Sequence, residues 1–352
     1  MIVLEIDGLY KKFAGSSDFA VNDFSIRIKQ DEIFGLLGES GCGKTTILRM
    51  ISGFEEPSKG CIKIHGNVVF NERVCIHPEK RGVGIVFQDY ALFPNKTVEE
   101  NIQFGLFRFS SKIRKEKSDK MIRLTGLEGL GGRYPHELSG GQKQRVALAR
   151  ALAPEPGLIL MDEPFSNLDS LRKNQMREEV RRIIKSTGAT GIFVTHDTKD
   201  VMAIADRASV IRHGVTLQTG TPGTIYNTPK NEYIAHFFGK TNVLSARVCE
   251  GGFQTPVGFI ASDTPLPSGT TQVRLSIRPE NLELSDSEMD CVCGNVKRES
   301  FAGEFKEVTC TIKDIHGKDI QLIIYAPADH FCHKDTCFIK LKNNTPPGIL
   351  DV

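Results

Sequence analysis

The residues whose types and spacing can do chemistry begin with Gly38, Glu39, Ser40, Gly41, Cys42, Gly43, Lys44 and Thr45, which read G-x-x-x-x-G-K-T. Glycines at these spacings let backbone amides converge on phosphate oxygens without a Cβ in the way. Lys44 is then placed to reach the outer phosphates, and the Thr45 hydroxyl, with Thr46 next to it, to meet a Mg²⁺ ion. Further along, Asp162 and Glu163 stand side by side at the end of an apolar run. Two adjacent carboxylates there are costly to keep unless a cation sits beside them. Asp162 fits the metal carboxylate, and Glu163 a base that polarises an attacking water. His196 closes another apolar run; lone histidines are more often structural, but this one ends a core strand and is placed for a γ-phosphate. Ser139, Gly140, Gly141 and Gln142 open a helix with Ser139 as N-cap, and the amino end of a helix attracts anions.

These groups need elements to aim them. Residues 33–37, Ile-Phe-Gly-Leu-Leu, have the length and character of a buried strand, and 45–51 carry apolar residues at helical spacing closed by Gly53. Strand, glycine-rich loop and helix together separate a phosphate site from a chance glycine-rich turn. Residues 157–161 form a fully apolar strand that delivers Asp162 and Glu163 at its carboxyl end, the edge where open α/β sheets bind ligands. The stretch 82–87 is apolar and stops at Gln88, and 190–195 leads to His196. Alternation in 2–6, 24–29 and 60–66 predicts half-buried antiparallel strands. Between the first two, Tyr10 and Phe13 each offer a face to a purine base; Phe13 is favoured by its place relative to the following strand.

From 95 to 133 the texture turns helical, with Val98, Ile102 and Leu106 in register and a charged helix-former over 112–124. A further helix runs from 143 to 152, ended by Pro154 and Pro156, and a long charged one follows Asp169 to about Gly188. Beyond about Thr241 the alternating runs 273–277, 308–312 and 320–324, split by Gly, Asp and Pro turns, predict a small all-β barrel or sandwich.

Composition narrows the classes. The chain has 352 residues, 25% charged and 39% apolar, with a net charge of +2, which gives no argument for nucleic acid or an anionic membrane surface. No apolar run approaches the roughly 20 residues that span a bilayer, and the chain enters on a strand with no signal-peptide features. Nine scattered cysteines without a C-x-x-C pair suit a reducing cytosol. His330, Cys332, His333, Asp335 and Cys337 crowd one stretch, but their spacing matches no structural zinc pattern.

Taken in order, the motifs resemble those of the ATP-binding subunit of an ABC transporter. Residues 38–45 match that family's phosphate loop, Gln88 its Q-loop, 138–142 its signature motif, 158–163 its Walker B strand, 166–169 its D-loop and His196 its switch histidine. The resemblance implies an α/β P-loop NTPase core with antiparallel β and helical subdomains over 1–240, the helical part at about 91–155. It implies ATP and Mg²⁺, the metal held by Thr45, Gln88 and Asp162, with Lys44, Gln88, Glu163 and His196 catalytic and Phe13 against the adenine. Residues 241–352, with Ile277-Arg278-Pro279-Glu280, resemble the oligonucleotide-binding-like regulatory domain of importer ATPases. The strings 133–138 and 151–156 look most like ferric-iron importers, with sugar-phosphate, polyamine or sulfate import as the alternatives. The family's arrangement implies a head-to-tail homodimer, two membrane permease subunits meeting residues 91–94, and a periplasmic or lipid-anchored solute-binding protein. It places the subunit peripherally on the cytoplasmic face of the inner membrane. A soluble ABC ATPase acting on DNA or ribosomes fits less well, since there is one signature motif, no sustained heptads and no basic patch.

Overall fold

Alternating burial sets the first layer. β1 (Ile2–Lys11) and β2 (Val21–Lys29) run antiparallel, with Leu4 opposite Ile28 and Ile6 opposite Ile26, so their inward side chains share one core. β3 (Ile33–Leu37) is buried along its whole length and leads through the glycine-rich loop into α1 (Lys44–Ser52), which Gly53 ends at φ 87°. β4 (Lys59–Ile64) pairs with β1 and turns back at His65-Gly66, both in the left-handed region, into β5 (Asn67–Phe70). The strand expected over 60–66 is thus β4, which ends at that turn, and β5 is an addition beyond it. The structure is a computed structural model and describes residues 1–166, 170–285, 291–329, 336–342 and 348–350.

A second sheet forms the centre. β6 (Val83–Val86) precedes the helical part: α2 (Val98–Phe104), capped by a Thr97/Glu100 box, α3 (Ser111–Leu124) and α4 (Gly140–Leu152). Then come β7 (Leu158–Asp162), α5 (Ser170–Thr187), β8 (Thr190–Thr195), α6 (Thr198–Ile204), β9 (Arg207–Arg212) and β10 (Val215–Gly220). The helix α6 is an addition to the sequence reading, its Asp197 N-cap accepting from Lys199 N. The sheet order is β10-β9-β3-β8-β7-β6, with β3, β6, β7, β8 and β9 parallel. Parallel strands covered on both faces need continuous apolar sequence, which is why Leu158, Ile159 and Leu160 are fully buried; each such side chain contributes about 1.5–3 kcal/mol.

The chain divides into two compact units, Met1–Pro222 and Gly223–Val352. The division precedes the boundary expected at 240/241, because α7 (Pro222–Asn227) and α8 (Glu232–Phe237) are bound to Arg278. That guanidinium is 2% exposed and donates to the carbonyls of Tyr226, Ala235, Gly239 and Lys240. It also lies 4.0 Å from the Tyr226 ring, whose hydroxyl donates to Glu280 at 2.6 Å. The second unit continues with β11 (Asn242–Cys249), β12 (Gly252–Thr255), β13 (Gly258–Ala261), β14 (Gln272–Ile277), β15 (Leu282–Ser285), β16 (Val292–Phe301), β17 (Phe305–Lys313), β18 (Asp319–Pro327), β19 (Thr336–Leu341) and β20 (Gly348–Leu350). They make two five-stranded antiparallel sheets, β13-β12-β11-β14-β20 and β15-β19-β16-β17-β18. Asn242 of β11 both donates to and accepts from the Ile323 backbone of β18, so one amide side chain stitches the sheets as a strand neighbour would.

Candidate functional site

Strand direction assembles the site. Because β3, β8, β7 and β6 are parallel neighbours, their carboxyl ends emerge together: the glycine-rich loop from β3, His196 from β8, Asp162 and Glu163 from β7, and Gln88 just past β6. The sequence separations are large, yet Leu37 lies level with Thr195, and Asp162 with Val194.

In the loop, Gly41 and Gly43 have φ of 82° and 104°, where L side chains are strained, and a Cβ on Gly43 would lie 2.2 Å from the Ala20 carbonyl. A Cβ on Gly38 would meet the Ile211 carbonyl at the same distance. Lys44 is 5% exposed, and its ammonium donates to the carbonyls of Gly38 and Glu39, each at 2.8 Å, with the Cys42 sulfur at 3.7 Å. The cation is therefore folded over the loop. The first turn of α1 has neither a side-chain cap nor an acidic residue, so its orphan amides keep their attraction for an anion.

The Thr45 hydroxyl donates to Asp162 Oδ1 at 3.1 Å. Burial pushes the Asp162 carboxyl above the ordinary aspartate value, with the neighbouring Glu163 charge adding to it and the Thr45 bond opposing. A desolvated carboxylate beside a hydroxyl is the donor set of a hard cation. Among the described residues no cluster of three or more His, Cys, Asp or Glu side chains is arranged to hold a metal, so a hard cation here would draw on phosphate and water oxygens beside the few protein oxygens. Thus the residues fit Mg²⁺ held with a polyphosphate, and not a metal caged by protein alone.

Glu163 adopts φ 42°, pinned by its own N–H to Val194 O and by Ser166, which donates from its hydroxyl to the Glu163 carbonyl at 3.0 Å. That turn carries its carboxylate to 3.1 Å from His196 Nδ1. The pair joins the ends of β7 and β8. Gln88 is exposed, and Phe13 is 43% exposed with the Lys11 ammonium 5.1 Å from its ring centre. Tyr10 instead packs edge-on against Phe19 at 5.7 Å. Phe19, 43% exposed and passed over in the sequence, lies in the same region; its spacing within 12–20 gave no signal for it.

Ser139 caps α4 in a reciprocal box: it accepts from Gln142 N at 3.4 Å, while its own N–H donates to Gln142 Oε1 at 2.8 Å. The hydroxyl proton stays available to an acceptor. Ser139 and Gly140 are exposed, and among the described residues no hydrogen bond joins 139–142 to the phosphate loop of the same chain. Of the 166–169 stretch, Asn167, Leu168 and Asp169 lie outside the described residues. So do His330, Cys332, His333 and Asp335 of the tempting metal cluster; Cys337 instead faces Cys310 in the β core, sulfur to sulfur at 3.2 Å.

Two further side chains shape the segment after Gln88. Arg150 of α4 donates to the carbonyls of Tyr90 and Ala91, at 2.9 and 2.6 Å, and both residues have positive φ. The fully buried Asn101 accepts from Phe93 N and donates to the Phe93, Lys96 and Thr97 carbonyls. Around them Phe87, Phe104 and Phe107 are 39, 50 and 70% exposed.

Comparisons with known proteins place the chain in a family. A family model described as ABC transporter matches residues 21–166. The Fe(3+) ions import ATP-binding protein FbpC of Mesorhizobium japonicum is 40% identical over 320 residues, covering 89% of this chain and 86% of that protein. The spermidine/putrescine import ATP-binding protein PotA of Pseudomonas fluorescens is 43% identical over 282 residues, 76% of this chain and 75% of that one. Among solved structures, the ATP-binding cassette MJ0796, a dimer in a post-hydrolysis state bound to ADP and Pi, superposes with a TM-score of 0.54 at 27% identity. It covers 62% of this chain and 98% of its own.

Proposed function

The chain belongs to the ABC transporter family of ATP-binding proteins, and from that membership we propose that it hydrolyses ATP to drive solute import, with ferric iron as the solute. The observation that carries the ATPase reading is the meeting of Lys44, Thr45, Asp162, Glu163 and His196 at adjacent strand ends. Lys44 exchanges its bonds to the Gly38 and Glu39 carbonyls for bonds to phosphate oxygens. The glycine-loop amides and the first turn of α1 hold the remaining phosphate charge, and Phe13 covers the base. Thr45, Asp162 and Gln88 would hold Mg²⁺, which when bound would neutralise charge on the phosphates. Glu163 orients and polarises the attacking water. His196, bonded to Glu163 through Nδ1, has Nε2 left for the γ-phosphate.

Ser139, Gly141 and the amino end of α4 serve the γ-phosphate of a second copy, in a two-fold dimer with one nucleotide in each shared site. The exposure of Ser139, whose hydroxyl oxygen accepts from Gln142 N and so has its proton to offer, supports this. Residues 91–94, held by Arg150 and Asn101 and flanked by exposed phenylalanines, take the membrane permease subunits, at the cytoplasmic face of the membrane, with a solute-binding protein on the far side. Residues 241–352 are a regulatory domain. For the solute, the iron-import relative aligns over more of the chain than the polyamine relative, though at slightly lower identity. Uptake in cells lacking this subunit, tested with ferric iron, spermidine, sulfate and a sugar phosphate, decides it. Loss of ferric-iron uptake alone is expected; loss of spermidine or sulfate uptake with iron intact overturns the solute assignment.

A further inference from the structure

His196 is half exposed, and its ring is bonded to Glu163, so the rest of its placement comes from its backbone and from the residues on either side. Both neighbours are tied to one buried ion network. The Thr195 hydroxyl donates to Asp200 Oδ2 at 2.5 Å and accepts from Asp197 N at 3.0 Å. Asp197 caps α6 through Lys199 N, and the Asp200 N–H returns to the Asp197 carbonyl. Closing the circle from the opposite element, Arg177 of α5 reaches both carboxylates: Nε donates to Asp200 Oδ1 at 2.7 Å and Nη2 to Asp197 Oδ2 at 2.8 Å. Its Nη1 donates to Asn174 at 2.8 Å. The Arg177 side chain is 3% exposed and that of Asp200 5%.

A guanidinium this deeply buried is stable only with its donors used, and a planar fork holds two carboxylates in fixed relative positions. No part of the proposed phosphate chemistry is given to Arg177, yet two of its bonds fix the turn from which His196 projects. We propose that Arg177 is a positioning residue for His196: by clamping Asp197 and Asp200 it locks the 195–197 turn and keeps the imidazole against Glu163. It also ties that turn to α5, which follows residues 166–169 in sequence. The inference rests on the hydrolytic role given to His196 above.

A double-mutant cycle on the full chain tests it, with steady-state ATPase, ATP affinity from a fluorescent nucleotide, and melting temperature read in parallel. Arg177→Met should lower kcat about tenfold or more with KM for ATP changed less than about threefold, and Arg177→Lys, which keeps the charge but not the fork, should fall between. In a His196→Ala background the same Arg177 changes should alter kcat by less than about twofold, because they act through a group already removed. Equal losses in both backgrounds would make Arg177 a general scaffold residue and overturn the proposal, as would an Arg177→Lys protein with unchanged kcat. If Arg177→Met does not fold, the Lys variant and its double with His196→Ala complete the cycle. A His196→Ala protein with full kcat would overturn the role of His196 itself, an outcome distinct from an Arg177 effect that is absent while the histidine effect is present.

Discussion

At the scale of single residues, Lys44 and Asp162 are the two charges the fold holds ready for a ligand. Lys44→Ala removes the fixed cation and leaves the Gly38 and Glu39 carbonyls without their donor. Hydrolysis should disappear and ATP binding weaken by at least about tenfold, measured by turnover and nucleotide titration; near-normal turnover would remove the loop from the mechanism. Asp162 makes the opposite case. Burial raises its carboxyl, so its favourable share of stability is complete below the unfolded value of about 3.9 and is lost as pH rises through the raised folded value. At neutral pH the ionised group therefore weakens the nucleotide-free protein. Asp162→Asn should raise the nucleotide-free melting temperature by about 2 °C and abolish the extra stabilisation that Mg-ATP gives over ATP alone. A lowered melting temperature without nucleotide would mean that the carboxylate is already compensated.

At the scale of elements, the segment after β6 is held by side chains and not by a sheet ladder. Asn101 satisfies one amide and three carbonyls between Phe93 and Thr97 from a fully buried site on α2. Asn101→Ala takes the side-chain partner from Phe93 N and the Lys96 carbonyl, while the Phe93 and Thr97 carbonyls keep the backbone N–H groups of Lys96 and residue 101; it should cost about 2–4 kcal/mol in a urea titration, well above a surface substitution. In the complex with its permease the same change should reduce permease-stimulated hydrolysis more than the basal rate of the isolated subunit. A loss under about 0.5 kcal/mol would mean that water replaces the amide.

At the scale of the molecule, two experiments separate the units and the copies. Arg278 holds the carbonyls of α7 and α8 within the second unit, so a fragment 1–222 should melt cooperatively and bind ATP. A fragment 1–239, which keeps those helices without Arg278, should be the more aggregation-prone; the reverse order in light scattering would move the boundary back toward 240. For the dimer, Glu163→Gln keeps Asp162 for the metal but removes the charge on the water, so ATP should bind, persist and join two copies. Adding Ser139→Arg puts bulk where the proposed dimer places the partner's γ-phosphate. Size-exclusion chromatography with Mg-ATP should then show a dimer for the single variant and a monomer for the double. Equal dimerisation of both would take Ser139 out of the interface.

What the sequence determined by itself is the set of local conformations that a few neighbouring residues dictate. The glycines around Lys44, the Ser139 cap, the Gly53 stop and the unbroken apolar runs of β3, β7 and β8 were legible because each is decided within a turn or two of chain. The alternating strands of the second unit were legible for the same reason. Only the tertiary structure decided which strands became neighbours, and hence that Thr45 bonds Asp162 and Glu163 meets His196. It also placed Arg177 against Asp200 and gave α7 and α8 to the second unit. No periodicity encodes those choices: a buried arginine among carboxylates and carbonyls has the same one-letter appearance as an exposed one, and its partners are fixed by packing across the fold.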